Sequence, residues 1–375
     1  MQKNSTVSMM CVCATVLVCV AMVSNAGPLD PPAGPVASTY KTLDEVEARR
    51  PINDVFAPGN ANSLHVISQS GSYYLTGPLT VSGLDNAIEV LAPNVTIDLN
   101  GYTIAGSSLF GSPLRGILLV NTAQDAVLTV RNGTITGFTS VGLRSTRVDQ
   151  SVILRDLVFT ANDVGAIVPG DVDAASCAFL RNTGAGLSGG RGSIVRDCRA
   201  LDNGFAGIAI QTGRVEGCVA EGNAYDGIVV GVNDDGLSIA RNNVANMNSG
   251  HGISGLNAIV EGNAVGNNLA GGVRTQTQVS FSLLAAGVIE NNFLKLNGDS
   301  PGEIGIFISG EHYRVDRNTI SGSPVGILSN GFTDNVFSRN TVDNATTPYS
   351  IPAGNVAALE DSTYSTDRAW QNIRQ

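Results

Sequence analysis

Along residues 174–342 the apolar positions fall in short alternating runs closed by Asn, Gly or Cys, and none repeats at the 3.6-residue period of a helix. The runs come in sets of three. One position recurs as Cys177, Cys198, Cys218, Asn243, Asn263, Asn292, Asn318 and Asn340. Three residues earlier stand Ala174, Val195, Val215, Ala240, Val260, Ile289, Val315 and Phe337; two residues later stand Phe179, Ala200, Ala220, Ala245, Val265, Leu294, Ile320 and Val342. A second polar column follows, with Asn182, Asn203, Asn223, Asn248, Asn268 and Asn297. A glycine comes next (Gly186, Gly207, Gly227, Gly252, Gly272, Gly305, Gly326), and directly after it Leu, Ile or Val. Each unit therefore predicts three short strands in 20 to 21 residues when nothing is inserted. One unit cannot bury its apolar face alone, whereas stacked units share a continuous core. Asn suits the corners because it tolerates left-handed backbone angles, and stacked amides can bond from coil to coil. The three cysteines take Asn positions in consecutive coils and are expected as a buried thiol stack.

The pattern predicts an all-β chain, a single-stranded parallel β-solenoid of roughly ten coils over residues 63–344. Less regular strands begin it, among them Val95-Thr96-Ile97-Asp98 and Ala126-Val127-Leu128-Thr129-Val130. Residues 27–62 are expected as an extended leader and N-terminal cap, in which Thr42-Leu43-Asp44-Glu45 has the form of a capping box that starts a short helix ending near Pro51. Residues 345–375, with Pro348, Pro352 and Trp370, are expected as an irregular C-terminal cap.

Composition and charge narrow the function. Lysine occurs only at positions 3, 41 and 295, against the habit of helical proteins, and a mean hydropathy of +0.12 argues against disorder. The formal charge is −10, or −11 once the single Lys of the first 26 residues is set aside, so nucleic acid is not an expected partner. Residues 11–23 form an apolar run and Ser24-Asn25-Ala26 supplies small residues, the form of a signal peptide occupying 1–26. Its 13 apolar residues fall short of the roughly 20 a membrane span needs. A secreted, periplasmic or cell-surface protein is expected, with no membrane span after cleavage and as a monomer.

The run Gly71-Ser72-Tyr73-Tyr74-Leu75-Thr76-Gly77 followed by residues 94–104, together with the later Asn-x-x-x-Gly-Ile units, resembles the right-handed parallel β-helix proteins of the pectate-lyase-like superfamily, in particular secreted bacterial β-helix repeat proteins. The resemblance implies a right-handed coil. It does not choose among activities, since the superfamily holds lyases, hydrolases, epimerases and members without an established reaction.

Insertions point to a site. The count from glycine to the next corner position is 11 at Gly207 and Gly252, but 16 at Gly227 and 20 at Gly272. Extra loop length on both sides of the Gly-Ile strand is expected to wall a groove. Within it stand Asp226, Asp234, Asp235 and His251 as candidate catalytic residues, with Arg274 and Glu303 as candidate substrate-binding residues. Asp226 and His251 both precede a column glycine and are expected to stack one coil apart. Paired carboxyl groups in such a groove could cleave a glycosidic bond. The order of these residues is similar in part to the polygalacturonase motifs: Gly250-His251-Gly252 matches, Asp234-Asp235 matches in type, and Val273-Arg274-Thr275 departs from Arg-Ile-Lys. No cofactor is required; Asp234, Asp235, Asp299 and Glu303 could offer oxygen ligands to Ca²⁺, although no spacing matches a defined calcium loop. Two functions stay open: an exported protein that binds or processes an extracellular polysaccharide such as a polyuronide, or a non-catalytic surface solenoid. Low aromatic content (5%) tells against strong sugar stacking.

Overall fold

The computed structural model describes residues 48–81, 86–106, 115–120, 126–231, 236–276, 287–298, 303–331, 333–357, 359–361 and 372–374. All regular structure among them is β, and every strand pairing is parallel. The expected signal peptide and the capping box lie outside the described residues. Where description begins, Arg50–Pro51 is a strand paired with Tyr73 and Tyr74.

A single coil shows the rule. Ile208–Ile210, Gly213–Glu216 and Val219–Glu221 are consecutive short strands, each paired with its equivalent one coil on: Ile208 with Ile228, Val215 with Ala240, Ala220 with Ala245. The strands that follow the column glycine make one sheet, here called the front face, of thirteen strands; the other two faces hold twenty-six. Thirteen exceeds the roughly ten coils predicted, because the earliest and latest coils pair without showing the regular columns. The last front strand is Thr347–Ser350, paired with Val325–Ser329.

Residues of all three apolar columns point inward and are fully buried, among them Val215, Ala220, Ile208, Ile289 and Leu294. Phe159 and Phe179 stack inside the core with ring centroids 5.2 Å apart. The column glycine is required by crowding: a Cβ on Gly207 would lie 2.7 Å from the carbonyl oxygen of Gly227 and 2.8 Å from the Asn223 amide.

The corners revise one expectation. The column asparagines are not the left-handed residues. That conformation falls on the residue before each: Asn242 (φ 55°), Asn291 (φ 57°), Gly262 (φ 66°), and in the second column Asp202 (φ 55°), Met247 (φ 52°) and Leu296 (φ 51°). This twist turns the next side chain into the interior, where burial obliges its amide to find partners. It finds them along the axis. Asn243 Nδ2 donates to Asn263 Oδ1 (3.0 Å), Asn263 to Asn292 (2.9 Å), Asn292 to Asn318 (2.9 Å) and Asn318 to Asn340 (2.9 Å). A second ladder runs Asn162, Asn182, Asn203, Asn223, Asn248, Asn268, Asn297 in the same way. Cys177, Cys198 and Cys218 continue the first ladder as free, buried thiols, and the Cys218 amide donates to Asn243 Oδ1 at 2.9 Å. Hydrogen bonding to Cys198 and burial push the thiols of Cys177 and Cys218 up.

Candidate functional site

On the front face the middle residue of each three-residue strand points outward. The register aligns these as Arg144, Ile167, Ser188, Ala209, Val229, Ser254, Arg274 and Phe307. Small side chains at Ser188, Ala209 and Ser254 leave a depression, a cleft of about 540 Å³. One side is formed by the corner residues Phe205, Tyr225 and Asp226, the other by Gln211, Gly231 and Leu256, and Arg274 stands at one end.

The carboxylate of Asp226 is fixed from two directions. Oδ1 accepts from the His251 backbone N–H at 2.7 Å, with His251 Nδ1 at 3.4 Å, and Oδ2 accepts from the Ser254 hydroxyl at 2.6 Å. Burial alone would raise the pKa of this carboxyl; hydrogen bonds from the His251 ring, Ser254 and the His251 amide outweigh it and hold the group below the ordinary carboxylate range. Both oxygens of Asp226 accept, and the carboxylate orients the imidazole and the hydroxyl.

Of the residues singled out in the sequence, Asp226, His251 and Arg274 come together. Ser254 links them, since it bonds Asp226 and is the in-register neighbour of Arg274. Among the described residues the buried Nε of Arg274 has no hydrogen-bond partner. Glu303 lies outside the cleft, at the start of Ile304–Ser309, where its carbonyl accepts from the Val325 N–H (3.0 Å). Asp234, Asp235 and Asp299 lie outside the described residues, as do the insertions expected to wall the groove. Among the described residues no three His, Cys, Asp or Glu side chains converge to hold a metal ion, and of the four expected Ca²⁺ ligands only Glu303 is among them.

The sequence reading missed the aromatic pair. Phe205 and Tyr225 occupy the same place in consecutive coils, two residues before the column glycine, and their rings stack at 4.8 Å with planes 8° apart. They remain 52% and 48% exposed, so a planar apolar surface stands open at the cleft rim. Alignment on the glycine column carries this signal; overall aromatic content hides it.

The geometry defines a parallel β-solenoid with a cleft on its front face. The family described as "Right handed beta helix region" matches residues 94–264. No curated protein matches the sequence. Among solved structures, the chain is similar to the Dettilon tailspike protein (15% identity, TM-score 0.47, covering 77% of this chain and 59% of that one). It is also similar to the Azotobacter vinelandii mannuronan C-5 epimerase AlgE4 A-module (16%, TM-score 0.47, covering 77% and 91%). A third similarity is to pectate lyase Pel9A (15%, TM-score 0.32, covering 80% and 71%). Among the described residues no helix is long and apolar enough to cross a membrane.

Proposed function

We propose that this is an exported β-helix protein that binds an extracellular acidic polysaccharide, a polyuronide, in the front-face cleft. One observation carries the reading: the half-exposed Phe205–Tyr225 stack stands on the same cleft as Arg274, whose buried Nε has no partner among the described residues. Aromatic faces pack against the apolar faces of sugar rings, and a guanidinium bonds carboxylates in a bidentate fork. Ser254, held by Asp226, adds a hydroxyl of fixed orientation. Asp226, with both oxygens accepting, is not set as the proton donor that glycosidic cleavage needs.

The test is calorimetric titration with polygalacturonate, alginate and neutral glycans, with and without Ca²⁺, alongside a turnover assay on each. The acidic polymers are expected to bind without turnover. Tyr225→Ala should weaken them about threefold to tenfold, and Arg274→Gln should weaken acidic but not neutral glycans. Arg181→Ala, at a corner whose side chain does not line the cleft, should change neither. Failure of any acidic glycan to bind, or equal losses in Arg181→Ala, sinks the reading.

A further inference from the structure

A second polar cluster lies on the same front face, outside the cleft. Arg144 is the outward residue directly before Ile167 in the column, and Arg115 precedes the adjoining strand Ile117–Leu119. Both are half-buried. Several other arginines are paired with carboxylates: Arg131 with Asp98, Arg155 and Arg196 with Asp173, Arg241 with Glu261. Among the described residues neither Arg115 nor Arg144 has such a partner, and the Nε of Arg115 is buried with no hydrogen bond. The nearest carboxylate in the column, Glu89, already accepts from Asn60 (2.9 Å) and Ser63 (3.0 Å). Burial and the positive charge of Arg144 both depress the pKa of Arg115, which places the two guanidinium groups within each other's field.

An orphaned acceptor adjoins the orphaned donor. The pairing of Ile88 with Ile117 sets Asn86 beside Arg115, and the Ala87 N–H donates to the Arg115 carbonyl at 2.9 Å. Asn86 is only 8% exposed; its Nδ2 is satisfied by Asn62 and Ser63, while its Oδ1 has no partner among the described residues. Leaving a buried donor, a buried acceptor and two like charges unmatched is costly in the free protein. A carboxylate flanked by a hydroxyl would match all of them.

We propose that Asn86, Arg115 and Arg144 form a second subsite, for a uronate unit of an extended acidic polysaccharide that runs along the solenoid axis to Arg274. The inference rests on the cleft reading above and extends it to the orientation and minimum length of the ligand. Arg144 and Arg274 are six coil steps apart, or roughly 29 Å at the spacing of paired strands. Short oligomers reach one end only. Long ones engage both, with the apolar and small residues between them as a floor.

The experiment compares a uronate trimer with a uronate dodecamer. The dodecamer is expected to bind the native protein about tenfold more tightly than the trimer, and Arg144→Gln and Arg115→Gln should each erase that advantage while leaving the trimer unchanged. Neither variant should lower the melting temperature, since each removes an unpaired charge; Tyr225→Ala should weaken both oligomers. An unchanged dodecamer-to-trimer ratio in both arginine variants overturns the second subsite, as does equal weakening of trimer and dodecamer. If the native protein binds neither oligomer, the cleft reading falls first. If dodecamer binding survives Tyr225→Ala but not Arg144→Gln, the cleft reading falls and the subsite stands.

Discussion

Asp226 shows how a single carboxylate is placed by its coil. The residue precedes a column glycine, so its backbone is held against the next coil and its side chain meets the amide of His251 directly. Asp226→Asn would replace one accepting oxygen by a donor facing either an N–H or a hydroxyl. A loss of about 1–3 kcal/mol in denaturant unfolding at pH 7 is expected. Because the folded carboxyl has a depressed pKa, its contribution is present above the unfolded value near pH 4 and lost as pH falls through the folded value. The stability gap between native protein and variant should therefore close on acidification below pH 4. The cysteines offer a second check at this scale. Because they are buried, Cys177, Cys198 and Cys218 should resist a thiol reagent in the native state, and all three should react on unfolding without reductant; a count of one would reveal a disulfide.

At the scale of the element, the two amide ladders do for the corners what sheet hydrogen bonds do for the strands. Asn223 Oδ1 accepts from both the backbone and the side-chain amide of Asn203, while its Nδ2 donates to Ala200 O and Asn248 Oδ1. Asn223→Ala leaves these buried groups unmatched in two coils, and a cost on the order of 2–4 kcal/mol is expected from chemical unfolding. The residue before each ladder position behaves oppositely. Met247 is 53% exposed and held at φ 52°, a conformation Asn accepts more readily. Met247→Asn should raise stability by up to about 1 kcal/mol in the same measurement. The division of labour within these corners was not legible in the sequence: the columns of Asn and Cys were visible, but Met247 and Leu296 carry no turn signature, and only the backbone reveals that the strain falls on them.

For the molecule as a whole, coil-to-coil pairing makes stability nearly one-dimensional, so the ends decide where unravelling starts. Near the C-terminal end Asp316 ties neighbouring coils together: its carboxylate accepts from Arg314 (2.7 Å), Ser338 (2.9 Å) and Arg339. Burial acts to raise this carboxyl, and the bonds from Arg339, Arg314 and Ser338 prevail, lowering it to about 2. Its contribution is thus complete above about pH 4 and vanishes towards pH 2. Asp316→Asn should melt earlier at pH 7, and the difference should disappear near pH 2 in pH-dependent thermal scans. The fold was legible because stacking repeats the same burial requirement in every coil, from Ala174 to Val342. The site was legible only in part. Asp226, His251 and Arg274 stood out by chemical type, whereas Phe205, Tyr225 and Asn86 matter through what lies one coil away.

The outward column of the front face also has the properties of a comb. It offers one side chain per coil at a fixed pitch of about 4.8 Å, and that pitch is locked by the glycine corners and the ladders beneath. A polymer with a different repeat length slips out of phase with the comb after a few teeth. A scaffold of this kind grips best at a few separated teeth and lets the chain pass over smooth ground between them. That is the distribution seen from Arg144 to Arg274, where Ile, Ser, Ala, Val and Ser fill the interval.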